Sequence, residues 1–148
     1  MSKHEKLPFA LTLHVRDHCL CLHARRAARA LARRYDEALR PSGLTNGQFS
    51  LMMSLNRPEP PTMGDVSALL AMDRTTLTAN LKPLERRGLV QVTVDGADKR
   101  SRRLALTEAG REVLAKAVPL WRQAQTENEE RVSDVEPDRL LSALRSLS

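Results

Sequence analysis

The sequence predicts a mainly helical α+β protein in which one two-stranded hairpin interrupts a series of helices. Over most of the chain, apolar residues recur at steps of three and four, which is typical of amphipathic helices. Near residue 90 this period gives way to a short alternating segment rich in β-branched residues, which is typical of a strand. The 148 residues, 41% of them hydrophobic, are suited to a single domain over 1–148.

The first predicted helix covers residues 12–40 and carries an apolar stripe on one face. The members of the stripe are Leu20, Ala24, Ala27, Leu31, Tyr35 and Ala38. Pro41 and Gly43 are expected to end this helix. Residues 1–11 contain Pro8 and are expected to form a loose arm.

Three shorter helices are predicted from their capping residues. The two capping-box pairs are Thr45 with Gln48 and Thr62 with Asp65. In such a box each side chain accepts a hydrogen bond from the other residue's backbone amide. Asp73 is predicted to cap a third helix, Arg74–Arg87, and Gly88 suits the left-handed position that follows a helix.

A hairpin and two more helices complete the chain. The segment Leu89–Val94 and the segment Arg102–Leu106 are predicted strands, with turn residues between them. Thr107 is predicted to cap a long helix that contains Pro119, and Pro137 opens a short final helix.

Short helices followed by a hairpin are the element order of a winged helix-turn-helix, here over residues 45–106. The terminal segments, 12–40 and 107–148, carry apolar stripes that so small a lobe cannot cover. We therefore expect these long N- and C-terminal helices to be dimerisation helices that pair with a second copy of the chain.

Positive charge is concentrated in two blocks of the chain. The net charge is +6, and residues 12–40 and 73–104 each carry +4, whereas 107–148 carries −2. Such segregation is expected of a surface that faces phosphates, and a solvated basic face is the alternative interpretation. No apolar run is long enough to span a membrane and no signal peptide is visible, which predicts a cytoplasmic protein without membrane contact.

Four short motifs carry a resemblance to a known family. They are Asp73-Arg-Thr-Thr-Leu-Thr78, Leu84-Glu-Arg-Arg-Gly-Leu-Val90, Asp98-Lys-Arg100 and Leu106-Thr-Glu-Ala-Gly110. In these motifs and their spacing the chain resembles the MarR family of transcriptional regulators. The resemblance implies a homodimer with interlocked terminal helices, bound to a pseudo-palindromic double-stranded DNA operator. It also implies a recognition helix in the major groove, a wing near the minor groove, and in many members release by a small aromatic acid, drug-like compound, oxidant or metal.

The predicted DNA-binding residues lie on the recognition helix and in the hairpin. They are Arg74, Thr75, Thr76, Thr78, Asn80, Lys82, Lys99, Arg100 and Arg102. Short polar side chains near a helix N-terminus can contact base edges, and cations beside them contact phosphates. The alternative for the threonines is that some of them cap the helix. The resemblance implies that Asp98 pairs with Arg100 and holds it in place.

Two positions depart from the family pattern. Ala79 stands where many members carry an arginine, so a common recognition-helix cation is missing. Pro83 lies within the predicted recognition helix and removes one amide donor, and we expect a kink there.

Two histidines and a cysteine share one face of the first predicted helix. His14, His18, Cys21 and Arg25 follow one another at steps of four and three. They could ligate a metal, although no fourth ligand is evident. Cys21 could be a redox site whose thiolate Arg25 stabilises, or the residues could simply pack or solvate the helix. Cys19 and Cys21 lie about 200° apart on a helix, so no disulfide between them is expected.

These observations predict a sequence-specific DNA-binding transcriptional regulator, a repressor relieved by an aromatic acid-like small molecule or by an oxidant. The alternatives are an effector-independent DNA-binding accessory protein and a cysteine-based redox sensor. No nucleophile triad, paired carboxylate or glycine-rich phosphate loop occurs in a suitable context, so we expect no enzyme activity, no cofactor and no bound metal.

Overall fold

The computed structural model describes residues 6–148, which form seven α-helices and one antiparallel two-stranded sheet. The helices are α1 (Phe9–His18), α2 (Leu20–Leu39), α3 (Asn46–Ser54), α4 (Met63–Leu69), α5 (Arg74–Arg86), α6 (Glu108–Arg131) and α7 (Pro137–Ser146). The strands are β1 (Val90–Val94) and β2 (Arg102–Leu106), and a 3₁₀ turn, Arg40–Ser42, follows α2. The predicted fold class, mainly helical with one hairpin, is confirmed.

The chain divides into two compact units between Arg34 and Tyr35. The described part of the first unit consists of α1 and most of α2. Helix α1 buries no residue, and α2 buries only Leu39, which belongs to the second unit. The described part of the first unit thus contains no fully buried residue, whereas the second unit contains the hydrophobic core.

The first predicted helix, 12–40, is divided at Cys19, so the prediction of one continuous helix was wrong. Cys19 has an extended backbone, with φ −70° and ψ 112°. Its Sγ accepts a hydrogen bond from Leu22 N at 3.4 Å, and its carbonyl oxygen accepts one from His23 N at 3.1 Å. Cys19 thus caps α2. The apolar period continues across the break, and cysteine is a weak acceptor that does not signal a helix start in sequence.

The break changes two of the inferences drawn from the sequence. His14 and His18 lie on α1, whereas Cys21 and Arg25 lie on α2, so the four residues do not share one helix face. The angular argument against a disulfide between Cys19 and Cys21 no longer applies, because only the second is helical. Both cysteines are free thiols in the structure.

Helix α1 also begins earlier than the sequence predicted. It starts at Phe9, and Pro8 occupies the N-cap position with φ −68°. The loose arm expected over 1–11 was therefore wrong from Phe9 onwards, and residues 1–5 lie outside the described part. Proline is tolerated here because the first amides of a helix have no intrahelical partner.

Aliphatic side chains form the core of the second unit. The largest fully buried ones are Leu39, Leu51, Met52, Val66, Leu77, Leu84 and Leu104, contributed by α2 through α5 and by β2. Phe49 of α3 and Trp121 of α6 stack with their ring centroids 6.0 Å apart. Burial of these side chains packs the short helices and the hairpin into one body.

Local hydrogen bonds determine where the helices of this unit begin. Both predicted capping boxes, at Thr45 and at Thr62, are present. Thr107 caps α6 by accepting a hydrogen bond from Gly110 N at 3.0 Å. Gly88 follows α5 with φ +69°, as predicted. Pro119 lies inside α6, which continues to its end at Arg131.

The hairpin packs against the segment that precedes α4. Its strands pair from Val90 with Leu106 to Val94 with Arg102, and the loop that joins them, residues 95–101, is called the wing below. On the other edge of β2, Leu104 N donates to Pro61 O at 2.9 Å. The base of the wing therefore lies beside the start of α4.

The first turn of α6 approaches the start of β1 too closely for any side chain. A Cβ on Gly110 would lie 2.1 Å from Leu89 O. Thr107 holds the same junction, because its amide donates to Leu89 O at 3.1 Å and its hydroxyl donates to Gly88 O at 2.5 Å. Glycine at position 110 is what allows α6 to leave the hairpin in this direction.

We expect Gly110→Ala to lower the free energy of unfolding by about 3 kcal/mol, since the new methyl group would overlap backbone that cannot move freely. Urea denaturation followed by circular dichroism measures the change. Gly47→Ala is the control, because no atom lies within 4 Å of its added Cβ, and it should change stability by less than about 1 kcal/mol. Equal stability of the two variants would contradict the close approach.

Candidate nucleic-acid interface

Helix α5 has one buried face and one exposed face. Leu77, Leu81 and Leu84 are each at most 2% exposed and fix the rotation of the helix against the core. The residues predicted to bind DNA are all exposed: Arg74, Thr75, Thr76, Thr78, Asn80 and Lys82. Pro83 lies within the helix without ending it, since α5 continues to Arg86.

Asp73 caps α5, as predicted. Its Oδ1 accepts a hydrogen bond from Thr76 N at 2.7 Å, and its Oδ2 accepts one from Thr76 Oγ1 at 3.0 Å. The amide bond from Thr76 is the largest cause of the lowered pKa of Asp73, because it stabilises the carboxylate. The hydroxyl of Thr76 is thus engaged in the cap. Within the described residues, no hydrogen bond engages the hydroxyls of Thr75 and Thr78.

A tight turn holds α4 against α5. Ala71 in this turn has φ +51°, a left-handed conformation that a non-glycine residue adopts only under constraint. The hydroxyl of Ser67 donates to Met72 O, and Asn80 Nδ2 donates to Met72 Sδ at 3.4 Å. Side chains from both helices therefore bind the turn and hold the pair in a fixed relation.

The wing is organised by Asp98, although not in the way the resemblance implies. Its Oδ1 accepts a hydrogen bond from the backbone amide of Arg100 at 3.0 Å, and its carbonyl accepts one from Ser101 N at 2.9 Å. Asp98 forms no ion pair with the guanidinium of Arg100. The carboxylate therefore shapes the turn and leaves that guanidinium available. Arg102 folds back, donating to Lys99 O at 3.2 Å.

An open cleft of about 370 Å³ lies between α5 and the wing, with the start of α4 forming part of its lining. It brings together four of the nine predicted DNA-binding residues: Arg74 and Thr78 from α5, Arg100 from the wing and Arg102 from the start of β2. Asp98 is the one carboxylate among its lining residues, so three guanidinium groups give the cleft a net positive charge. The other five predicted residues lie outside it: Thr75, Thr76, Asn80, Lys82 and Lys99.

Two arginines that join distant parts of the chain were not among the residues singled out from the sequence. Arg103 Nη1 donates to Pro60 O at 2.7 Å, and Arg87 Nη1 donates to Gly43 O at 3.0 Å. Strand alternation signals that Arg103 faces away from Arg102. No local pattern identifies its partner, which lies 43 positions earlier in the chain.

The first unit contains the remaining candidate residues. The rings of His14 and His18 stack with centroids 4.3 Å apart, and Cys21 is exposed in the first turn of α2. In residues 6–148, no group of three metal-ligating side chains comes together. No helix in that range is long and apolar enough to cross a membrane.

Comparison with known proteins places the chain in a family. The model of the MarR family matches residues 42–101, which contain α3 through the wing. The crystal structure of the M. tuberculosis transcriptional regulator MosR in complex with DNA is 45% identical. It superposes with a TM-score of 0.80 over 88% of this chain and 93% of that one.

Two curated relatives extend the comparison. The transcriptional repressor MprA of Escherichia coli K12 is 28% identical over 99% of this chain and 81% of its own length. The transcriptional activatory protein BadR of Rhodopseudomonas palustris is 35% identical over 51% of this chain, which spans only 45% of BadR.

The fold and the basic cleft define a winged helix-turn-helix protein. The chain belongs to the MarR family of transcriptional regulators. Its relatives are named as regulators of transcription, in agreement with the prediction that it is not an enzyme.

We expect acid to weaken the caps of α4 and α5. Amide bonds, from Thr62 and Thr76 respectively, are the largest causes of the lowered pKa values of Asp65 and Asp73. The two carboxylates therefore stabilise the folded state fully above pH 3.8, their usual pKa. This stabilisation is lost as the pH falls through their lower pKa in the folded protein. The double variant Asp65→Asn/Asp73→Asn should lose less stability than the wild type below about pH 4.

The measurement is the free energy of unfolding in urea across a pH series. Asp134→Asn is the control, because its exposed carboxylate accepts no hydrogen bond in the described structure. Parallel pH profiles for the double variant and the wild type would show that the two caps do not contribute to the loss of stability in acid.

Proposed function

We propose that this protein is a sequence-specific DNA-binding transcriptional regulator that inserts α5 into the major groove of a duplex operator. The observation that carries the proposal is the convergence of Arg74, Arg100 and Arg102 in one open cleft between α5 and the wing. Phosphates are the partners that best neutralise such a cluster at the protein surface. The complex of MosR with DNA supports the same function for this chain.

The exposed face of α5 divides into base-reading and phosphate-binding residues in this proposal. Thr75 and Thr78 offer free hydroxyls and methyl groups to base edges, and the amide of Asn80 matches an adenine edge. Arg74 and Lys82 bind phosphates on either side. Thr76 acts mainly through the cap, where its hydroxyl already binds Asp73.

The wing contributes a cation to the minor groove. Arg100 is the proposed minor-groove residue, because the turn formed by Asp98 engages its backbone amide and leaves its guanidinium available. A narrow minor groove has an enhanced negative potential that attracts such a side chain. Lys99 and Arg102 are proposed to bind the flanking phosphates.

We propose that each chain forms a single domain, 1–148, and that two copies bind DNA together as a homodimer. Segments 12–40 and 107–148 supply the dimerisation helices, and 45–106 forms the DNA-binding lobe. Exposed apolar side chains on the terminal helices support this, with Leu20 73% exposed and Leu144 48% exposed. A second copy is the partner that covers such residues in a two-fold homodimer, which requires a pseudo-palindromic operator.

The proposed regulator is a cytoplasmic repressor released by a signal. MprA is named as a repressor, which supports repression as the mode of regulation, whereas BadR is named as an activator. The proposed signal is a small aromatic acid or an oxidant. Cys21 is the candidate for the oxidant, because its thiol is exposed. An effector-independent accessory protein is the alternative.

We expect operator affinity to fall steeply with salt, because several cations bind phosphates and release counterions. Arg100→Ala should weaken binding about tenfold, and the slope of log K against log salt should become shallower by about 1. Fluorescence anisotropy on operator fragments, selected from genomic DNA with the wild-type protein, measures both.

Arg57→Ala is the control, since this exposed arginine lies between α3 and α4, outside the residues that line the cleft and outside the proposed dimerisation segments. Its affinity should equal that of the wild type, and sedimentation should give a dimer for all three proteins. A flat salt dependence of the wild type would exclude phosphate binding as the basis of the interaction.

We expect an aromatic carboxylate or an organic hydroperoxide to release the protein from its operator. If the oxidant is the signal, Cys21→Ser should bind the operator normally and resist hydroperoxide, while a reductant restores the oxidised wild type. If the aromatic acid is the signal, Cys21→Ser should respond like the wild type. Binding that neither compound changes would favour the effector-independent alternative.

A further inference from the structure

The two adjacent arginines of β2 have different surroundings. Arg102 lines the basic cleft, whereas Arg103 does not. The side chain of Arg103 is 36% exposed, and its Nε lies 3.4 Å from Asp95 Oδ1, a carboxylate whose side chain is 14% exposed. Its Nη1 donates to Pro60 O at 2.7 Å. One guanidinium thus contacts the wing and the segment before α4 at the same time.

On the wing side, Asp95 organises the start of the loop. Its Oδ1 also accepts a hydrogen bond from Ala97 N at 3.3 Å, and its own amide donates to Ser101 O at 3.0 Å, closing the loop across its base. The residues that the wing presents to DNA, Lys99 and Arg100, lie between these two ends. Asp95 therefore determines how that part of the loop leaves the sheet.

On the other side, Pro60 lies just before the capped start of α4. Leu104 N donates to Pro61 O, and Thr62 forms an isolated bridge with Arg103, so this segment runs along the edge of β2. Arg103 also lowers the pKa of Asp65 in α4, after the larger effects of the bonds from Thr62. The guanidinium therefore contacts the segment just before α4 as well as the wing.

We propose that the contacts of Arg103 with Asp95 and Pro60, called the Arg103 link, orient the wing relative to helices α4 and α5. Arg103 is a positioning residue, and it acts on DNA affinity without contacting DNA. The inference rests on the proposed function, because orientation of the wing matters only if the wing binds DNA. A planar guanidinium can serve two acceptors in different directions, which a lysine ammonium on a flexible stem does less well.

If the Arg103 link orients the wing, Asp95→Ala should change operator affinity in the opposite direction to the one that charge alone predicts. Asp95→Ala removes a negative charge close to a surface that binds phosphates, and charge alone would then tighten binding. Loss of the link should instead weaken it. Glu85→Gln is the charge control, because it removes one exposed carboxylate from α5 that lies outside the cleft and forms no ion pair within the described residues.

The experiment measures operator affinity at several salt concentrations, together with amide hydrogen exchange of Leu104 in the free protein. Asp95→Ala and Arg103→Gln should each weaken binding about tenfold with the salt slope unchanged, and the double variant should be no weaker than either single one. Arg103→Lys should recover part of the affinity. Leu104 should exchange faster in both single variants, while the midpoint of global unfolding stays close to that of the wild type.

Three results would overturn the inference. In the first, Asp95→Ala binds the operator as tightly as Glu85→Gln. In the second, Arg103→Gln makes the salt slope shallower by about 1, as Arg100→Gln should, which would identify Arg103 as a phosphate contact. In the third, Leu104 exchange is unchanged. Failure of the wild type to bind any duplex would instead reject the proposed function, and the exchange measurement would still report on the link.

Discussion

Burial of the leucines of α5 is the constraint on which the rest of the interface depends. Leu77, Leu81 and Leu84 recur at steps of four and three and are almost completely buried, so α5 can be rotated in only one way against the core. Arg74 and Thr78, one turn apart, then lie exposed along the edge of this buried face. The recognition surface is thus a consequence of core packing, and a change in the core would move it without altering any of its residues.

The three guanidinium groups in the cleft repel one another in the free protein. This repulsion is small because the cleft is open to solvent. Like charges that face water interact weakly, because the high dielectric constant and dissolved salt screen them. Duplex DNA would replace that screening with phosphates at short range. This surface therefore favours an anionic partner while contributing little to folding, and the stability of the second unit comes from its aliphatic core.

Helix starts and the hairpin could be predicted where the residues that form them lie close together in the sequence. The errors occur where no such short-range interaction exists. At Thr45, Thr62 and Asp73 the capping partners lie three residues apart, so the sequence alone contains the complete interaction. The break at Cys19 has no comparable signal, because the apolar period continues across it and the cap is a sulfur atom. The predicted DNA-binding residues all proved to be exposed, but sequence alone could not tell that four of them meet in one cleft.

The sequence by itself determined the order of the elements from α3 onwards, the caps of α3 to α6 and the two faces of α5, because these depend on residues within one or two turns of each other. Only the tertiary structure decided which distant groups meet. Gly110 lies against Leu89, Arg74 shares a cleft with Arg100, and Arg103 joins Asp95 to Pro60. Such contacts depend on how whole helices and strands pack, and local residue preferences do not specify that arrangement. The winged helix could therefore be predicted from sequence, whereas the link that orients its wing could not.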